Sequence, residues 1–182
     1  MPTESKPIEL GSRCPSFQLR GVDEKFHTQE DYISQAVLVV GFTCNHCPYV
    51  RAYEKRLNHL AREMKSNSVA FICINANDAT SYPEDSFEKM KERSKAFAFQ
   101  FDYLWDESQQ TAKAFNAACT PEFFVYDKNR LLCYHGRFDD NHQDEKAVQK
   151  TYLTDAIQDL LGGQKVKTPQ TSAIGCSIKW KA

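Results

Sequence analysis

No stretch of this chain is long and apolar enough to cross a membrane as a helix. The longest hydrophobic run covers residues 36–42, against the roughly 20 residues that a bilayer core requires. Residues 1–10 carry Pro, Glu and Ser where a secretory leader needs an apolar stretch. Charge of one sign is lacking too. Lys+Arg 23 against Asp+Glu 24 leaves a net −1, which offers neither a basic footprint for nucleic acid nor an acidic solvating tail. There is no internal repeat, no low-complexity segment, and no second CxxC to complete a four-cysteine zinc site. With 41% hydrophobic and 26% charged residues the composition is that of a folded protein. The 182 residues amount to one domain, able to bury a core without disulfides or a metal. The expected location is the cytoplasm.

Seven cysteines are present. The odd number leaves at least one thiol unpaired or paired between chains. In a reducing compartment such residues are catalytic, metal-binding or simply buried more often than they are structural bridges. Cys44 and Cys47 form a CxxC, and Cys14, Cys73, Cys119, Cys133 and Cys176 are scattered. Cys73 and Cys133 fall within predicted strands and read as core.

Hydrophobic periodicity places the pair. Residues 37–42 form a continuous, β-branched run that fits a strand buried on both faces, and residues 69–74 a second one. Between them, from Pro48, apolar residues recur at three- and four-residue spacing (Val50, Tyr53, Leu57, Leu60, Ala61, Met64), which predicts a helix. Residues 11–19 predict a short strand entered through Pro15, with residues 25–27 as its hairpin partner. A turn at Pro83 precedes a charged helix within residues 82–98, with Phe87, Met90 and Phe97 on its inner side. Residues 103–105 and 109–115 predict a short strand and a short helix. Two apolar strands, 122–126 and 131–135, flank a polar turn. One amphipathic helix is predicted over residues 144–161, stopped by Gly162 and Gly163. The expected class is α/β, a mixed central sheet with helices on both faces. Residues 1–162 form the domain and residues 163–182 a tail docked on it, since apolar residues flank Cys176 in an otherwise polar segment.

The CxxC therefore lies at the end of a buried strand and the start of a helix. Unpaired N–H groups and the helix dipole stabilise a thiolate there, and such sites lower a cysteine from about 8.5 to roughly 3.5–7.5. Cys44 is expected to be the exposed nucleophile, and Cys47, one turn into the helix, the shielded resolving thiol. Pro48 suits the first helical turn, whose N–H lacks a partner in any case. His46, between the two sulfurs, would favour the Cys44 thiolate further. The expected potential lies above the ~−270 mV of thioredoxin and below or near the ~−120 mV of DsbA.

Three motifs carry a resemblance. The segment Gly11-Ser12-Arg13-Cys14-Pro15-Ser16-Phe17-Gln18-Leu19 resembles a G-x-x-A-P-x-F-x-L opening, with Cys14 at the alanine. Cys44-Asn45-His46-Cys47-Pro48 resembles a dithiol redox motif. Thr120-Pro121 before Glu122-Phe123-Phe124-Val125-Tyr126-Asp127 is similar to the threonine and cis-proline that face such a motif. Over residues 9 to 161 the chain thus resembles the thioredoxin superfamily in its peroxiredoxin-like branch (alkyl hydroperoxide reductase/thiol-specific antioxidant, or redoxin, domains). The resemblance implies a thioredoxin-like fold with an N-terminal β-hairpin extension and a helical insertion after Asn75. It also implies a cis Thr120–Pro121 bond whose Thr120 backbone pairs with an extended substrate.

Two departures narrow the reading. Thr43 directly precedes Cys44, so neither cysteine stands in the P-x-x-x-T-x-x-C frame of peroxide-reducing members. The strand over residues 37–42 lacks the buried acid that thioredoxins use for proton transfer; Glu122 and Asp78 are candidates to replace it. Further site candidates are Cys119, Cys176 and Arg137, the last able to steer an anion, hold a thiolate or form a surface ion pair. His59, His135 and His142 read as solvated or structural.

The leading reading is a thiol-disulfide oxidoreductase with catalytic Cys44, Cys47, His46 and Pro121 and substrate-binding Thr120, serving redox homeostasis. No cofactor and no metal are expected. The partners are protein or small-molecule thiols and disulfides, not nucleic acid or membrane. A thiol peroxidase and a copper- or zinc-binding redoxin are the alternatives.

Overall fold

The computed structural model describes residues 2–182. Its centre is the strand β4, Val37–Phe42, buried along its whole length. Val37 and Val39 point into one hydrophobic cluster, while Leu38, Val40 and Phe42 point into another, which is the alternation that a strand covered on both faces requires.

Around β4 lie β2 (Gln18–Gly21), β3 (Phe26–Thr28), β5 (Val69–Asn75), β6 (Asp102–Trp105), β8 (Glu122–Tyr126) and β9 (Leu132–Gly136). Together they form a seven-stranded sheet ordered β3-β2-β6-β5-β4-β8-β9. The β4–β5 and β5–β6 pairs are parallel, and β8 pairs antiparallel with β4. The expected mixed sheet is present, with the N-terminal hairpin β2–β3 on its edge.

Helix α1 (Pro48–Met64), α2 (Phe87–Ala96) and α4 (Tyr152–Leu161) bury residues in the first cluster; the short α3 (Gln110–Ala114) lies in the second. Both faces are therefore covered by helix. Arg93 of α2 holds Glu54 of α1 through two hydrogen bonds (2.7 and 3.0 Å), fixing the insertion against the helix that follows the CxxC.

A second, three-stranded sheet contains β1 (Thr3–Glu4), β10 (Ile174–Ser177) and β7 (Cys119–Thr120) in the order β1-β10-β7. The C-terminal segment is thus built into the fold by antiparallel pairing at both of its edges.

Three expectations change. The segment 144–161 is not one helix: a 3₁₀ turn at Glu145–Ala147 is followed by extended backbone at Val148, and α4 begins only at Tyr152. Asp140 explains the break, since its side chain accepts from Gln149 N and its N–H donates to Lys150 O, pulling residues 149 and 150 out of helical pairing. Phe97 is exposed and lies under the Arg93 guanidinium, because α2 stops at Ala96. Residues 11–17 run alongside the 130–132 segment instead of joining the sheet, through Gly11 N to Leu132 O and Cys14 N to Arg130 O.

Candidate active site

The chain leaves β4 at Phe42 and enters α1 at Pro48, so the CxxC spans the turn between them. Cys47 is the N-cap of α1 with extended backbone, and its carbonyl accepts from Arg51 N at 3.0 Å. It is therefore Cys47, not Cys44, that stands at the helix N-terminus, and it is not one turn inside. Pro48 occupies the first helical position, as expected.

Both thiols are buried, Cys44 at 2% and Cys47 at 0% exposure. Cys47 is shielded as expected, whereas Cys44 is not the exposed thiol the sequence suggests. The Cys44 thiol faces Cys47 as a hydrogen-bond donor, and this contact, more than burial or the nearby Asp85 charge, holds Cys44 well above the ordinary thiol range. The same contact lowers Cys47. Cys176 and the Val50 N–H of the first helical turn act in the same direction, against the opposing effect of burial. The Thr120 side chain also lowers Cys47, while the Thr120 carbonyl oxygen, 3.2 Å away, accepts from the Cys47 thiol and favours the protonated form. The contacts thus lower Cys47 and raise Cys44.

The loop between the cysteines is held from below by Asp85, a fully buried carboxylate (0% exposed) in the insertion. It accepts from Asn45 N at 2.7 Å, His46 N at 3.3 Å, Asn77 Nδ2 at 2.8 Å and the His46 Nδ1 atom. Tyr103 donates to Asn45 Oδ1 at 2.9 Å, and the Asn45 amide donates to Glu84 O. His46 is thus bonded to a carboxylate rather than to either sulfur, and its ring stacks on Tyr82 with centroids 5.1 Å apart. Both its N–H and its ring tie the loop to Asp85. Asp85 was not legible in the sequence, where it is one acid among several in a charged insertion; only the fold brings it beneath the loop.

The wall opposite is β7 and the bond after it. Thr120–Pro121 is cis, and Thr120 Oγ1 lies 3.5 Å from the Cys44 sulfur. Thr120 and Pro121 therefore stand beside the dithiol. The chain matches the AhpC/TSA family over residues 10–135.

The chain belongs to the AhpC/TSA family. It is 26% identical to the thiol-disulfide oxidoreductase ResA of Geobacillus thermodenitrificans strain NG80-2 over 129 residues, covering 70% of this chain and 68% of that one. The crystal structure of an uncharacterized conserved protein from Geobacillus kaustophilus superposes with a TM-score of 0.95 at 40% identity, covering 100% of this chain and 97% of that one. A putative thioredoxin from Neisseria meningitidis shares the fold at a TM-score of 0.66 and 16% identity, covering 86% of this chain and 95% of that one. The thioredoxin-like architecture and the peroxiredoxin-like branch expected from the motifs are those of this family.

In this AhpC/TSA member the edge expected to receive a substrate strand is already paired. Strand β10 lies antiparallel to β7, with Cys176 opposite Thr120 and Ser177 opposite Cys119. Cys176 is half-buried, its sulfur 2.8 Å from that of Cys47. Burial and the contact with Cys47 push its thiol up to about 12. Three cysteines from two parts of the sequence thus meet at one point.

The other candidates lie further off. Glu122 is buried, and its carboxylate accepts from Ala118 N (2.8 Å), Cys119 N (3.1 Å) and His135 Nε2 (2.6 Å); none of its hydrogen bonds reaches Cys44 or Cys47. Cys119 is fully buried against Glu122 and Ala173 O, and burial pushes its thiol far up. Asp78 caps its own turn through Thr80 N and Ser81 N. Arg137 forms no ion pair among the described residues; its Nε donates to Ser172 O at 2.9 Å, fastening the segment before β10. His135 is structural and buried beside Glu122, His59 is exposed beside Glu63, and His142 lies against Tyr49. Cys73 is core and Cys133 half-buried.

Proposed function

We propose that this chain is a thiol-disulfide oxidoreductase that cycles Cys44 and Cys47 between dithiol and disulfide, with protein or small-molecule thiols and disulfides as partners. The observation that carries the reading is the geometry of the pair, two buried thiols with Cys47 as the N-cap of α1, walled by Thr120 and the cis Pro121. On oxidation the two sulfurs bond, and two electrons and two protons pass to the partner disulfide, which leaves as two thiols. Cys44, Cys47 and Pro121 form the reaction centre, Thr120 lines it, and His46 with Asp85 sets the loop. A cytoplasmic setting belongs to the same reading and rests on the odd, largely buried set of thiols.

Titration of the reduced and oxidised protein against a glutathione series, with thiol trapping and peptide mass mapping, tests the reading. A reversible two-electron transition assigned to Cys44 and Cys47 is expected. Peroxide consumption through a sulfenic acid, without turnover of disulfides, would overturn it in favour of a peroxidase. The geometry does not favour that reading: Arg51, beside the motif, donates to Asn45 O and Glu84 and not to a sulfur. A metal-binding reading has one observation on its side. The ligand atoms of Cys44, His46 and Asp85 lie within 4.8 Å of one another. Stoichiometric zinc or copper after purification, with no redox transition, would replace the proposal with that one.

A further inference from the structure

The pair just described is sealed. Cys44 and Cys47 are buried at 2% and 0%, and the Thr120 edge along which an extended partner would approach is occupied by β10 of the same chain. Of the three sulfurs gathered there, Cys176 alone is half-exposed.

The seat of β10 is specific. A Cβ on Gly175 would fall 2.0 Å from Thr120 O and 2.6 Å from its carbonyl carbon, so the strand approaches Thr120–Pro121 as closely as glycine permits. Backbone bonds hold it on both sides. Ser5 N donates to Ala173 O at 2.9 Å; Ile178 N donates to Ala118 O at 3.2 Å. Beyond it, Lys179 N donates to Asn77 Oδ1 at 2.8 Å, on the side chain that also donates to Asp85. The tail is thus tied through Asn77 to Asp85, which holds the CxxC loop, with Cys176 presented to Cys47 at 2.8 Å. This is the arrangement that a substrate strand would adopt.

We propose that Cys176 is a third redox thiol that relays the disulfide of the Cys44–Cys47 pair to outside thiols, with the tail acting as a tethered internal substrate. The inference rests on the oxidoreductase reading above. In the oxidised protein Cys176 gives up its proton and its sulfur attacks Cys47. The Cys47–Cys176 bond forms, the Cys44–Cys47 bond breaks, and Cys44 leaves as a thiolate that takes up the proton. An external thiolate then attacks the accessible Cys176 sulfur, and Cys47 leaves as a thiolate. A second external thiolate attacks the mixed disulfide, releasing Cys176 and one molecule of external disulfide. Two external thiols are oxidised and one protein disulfide is reduced, so electrons balance without another oxidant. The reverse sequence reduces an external disulfide.

The test uses the full chain with glutathione as the probe. Cys44→Ser equilibrated with oxidised glutathione is expected to accumulate an intramolecular Cys47–Cys176 disulfide, identified by peptide mapping under non-reducing conditions. Cys176→Ser is expected to form the Cys44–Cys47 disulfide still, while its exchange with reduced glutathione, followed by stopped-flow, slows at least about tenfold. Absence of the Cys47–Cys176 bond in Cys44→Ser overturns the relay, and so does exchange in Cys176→Ser as fast as or faster than in the unaltered chain. Failure of the Cys44–Cys47 bond to form in Cys176→Ser, with the variant folded by circular dichroism, overturns instead the oxidoreductase reading on which the relay stands.

Discussion

Substituting Gly175 by alanine probes the tail seat directly. The new Cβ would lie 2.0 Å from Thr120 O, where real contacts do not fall below 3.0 Å, so strand and loop must part by at least the difference of 1.0 Å. Neither neighbour yields cheaply, because Thr120 is backbone within β7 and Pro121 N is only 3.2 Å from the same Cβ. Residue 173 and residues 178–181 remain anchored by their own hydrogen bonds. The strand therefore bows outward locally and does not leave. Both residue pairs between β10 and β7, Cys176 with Thr120 and Ser177 with Cys119, are disturbed. Two backbone hydrogen bonds at roughly 1 kcal/mol each give about 2 kcal/mol. That corresponds to about a 30-fold shift in the equilibrium between the paired and the bowed strand. The assay is the rate at which a maleimide modifies Cys44 and Cys47 in the folded, reduced protein, mapped by peptide mass. A rise on the order of tenfold or more in Gly175→Ala is expected, with native circular dichroism. Modification of Cys44 and Cys47 at the rate of the unaltered chain would falsify the claim that β10 is what seals the pair.

The remaining predictions concern the loop and its charges. Asp85→Ala orphans the buried donors Asn45 N and Asn77 Nδ2; at roughly 1–3 kcal/mol each the loss of stability is about 2–6 kcal/mol, read from the urea midpoint at constant slope, and an unshifted midpoint would contradict it. In the reduced protein the ultraviolet absorbance of Cys47 thiolate should set in below the ordinary ~8.5. Cys44→Ala removes the largest contributor to that lowering, so the transition moves to higher pH; a transition that stays put or falls would show that the Cys44 contact is not its cause. Glu122→Gln weakens the charged acceptor of Ala118 N, Cys119 N and His135. A destabilisation of about 1–3 kcal/mol is expected, with the oxidation rate of the pair unchanged. A slowed oxidation step with intact stability would restore Glu122 as its proton carrier.

Much of this protein was legible in the sequence for local reasons. The strand over 37–42 announces itself by an unbroken β-branched run, and α1 by its apolar spacing and Pro48. The CxxC between them then has to fall at a strand-to-helix turn. Thr120–Pro121 before an apolar strand marks the opposite wall. These signals depend on neighbours a few residues apart, and periodicity reads them directly. Where a tertiary bond competes, the same signals mislead: Asp140 breaks the helix expected over 144–161, and a helix end leaves Phe97 in solvent.

What the amino-acid order determined, then, is a redox dithiol on a thioredoxin-like sheet. What raises Cys44 and lowers Cys47 was set only by the tertiary structure, because it depends on groups that meet in a buried space: the two sulfurs, Cys176, the Val50 N–H and the Thr120 side chain. Asp85 reaches the loop from 40 residues away and Cys176 reaches Cys47 from 129. No local pattern encodes such contacts. They exist because the insertion and the tail close on the same turn, and long-range packing alone fixes that closure.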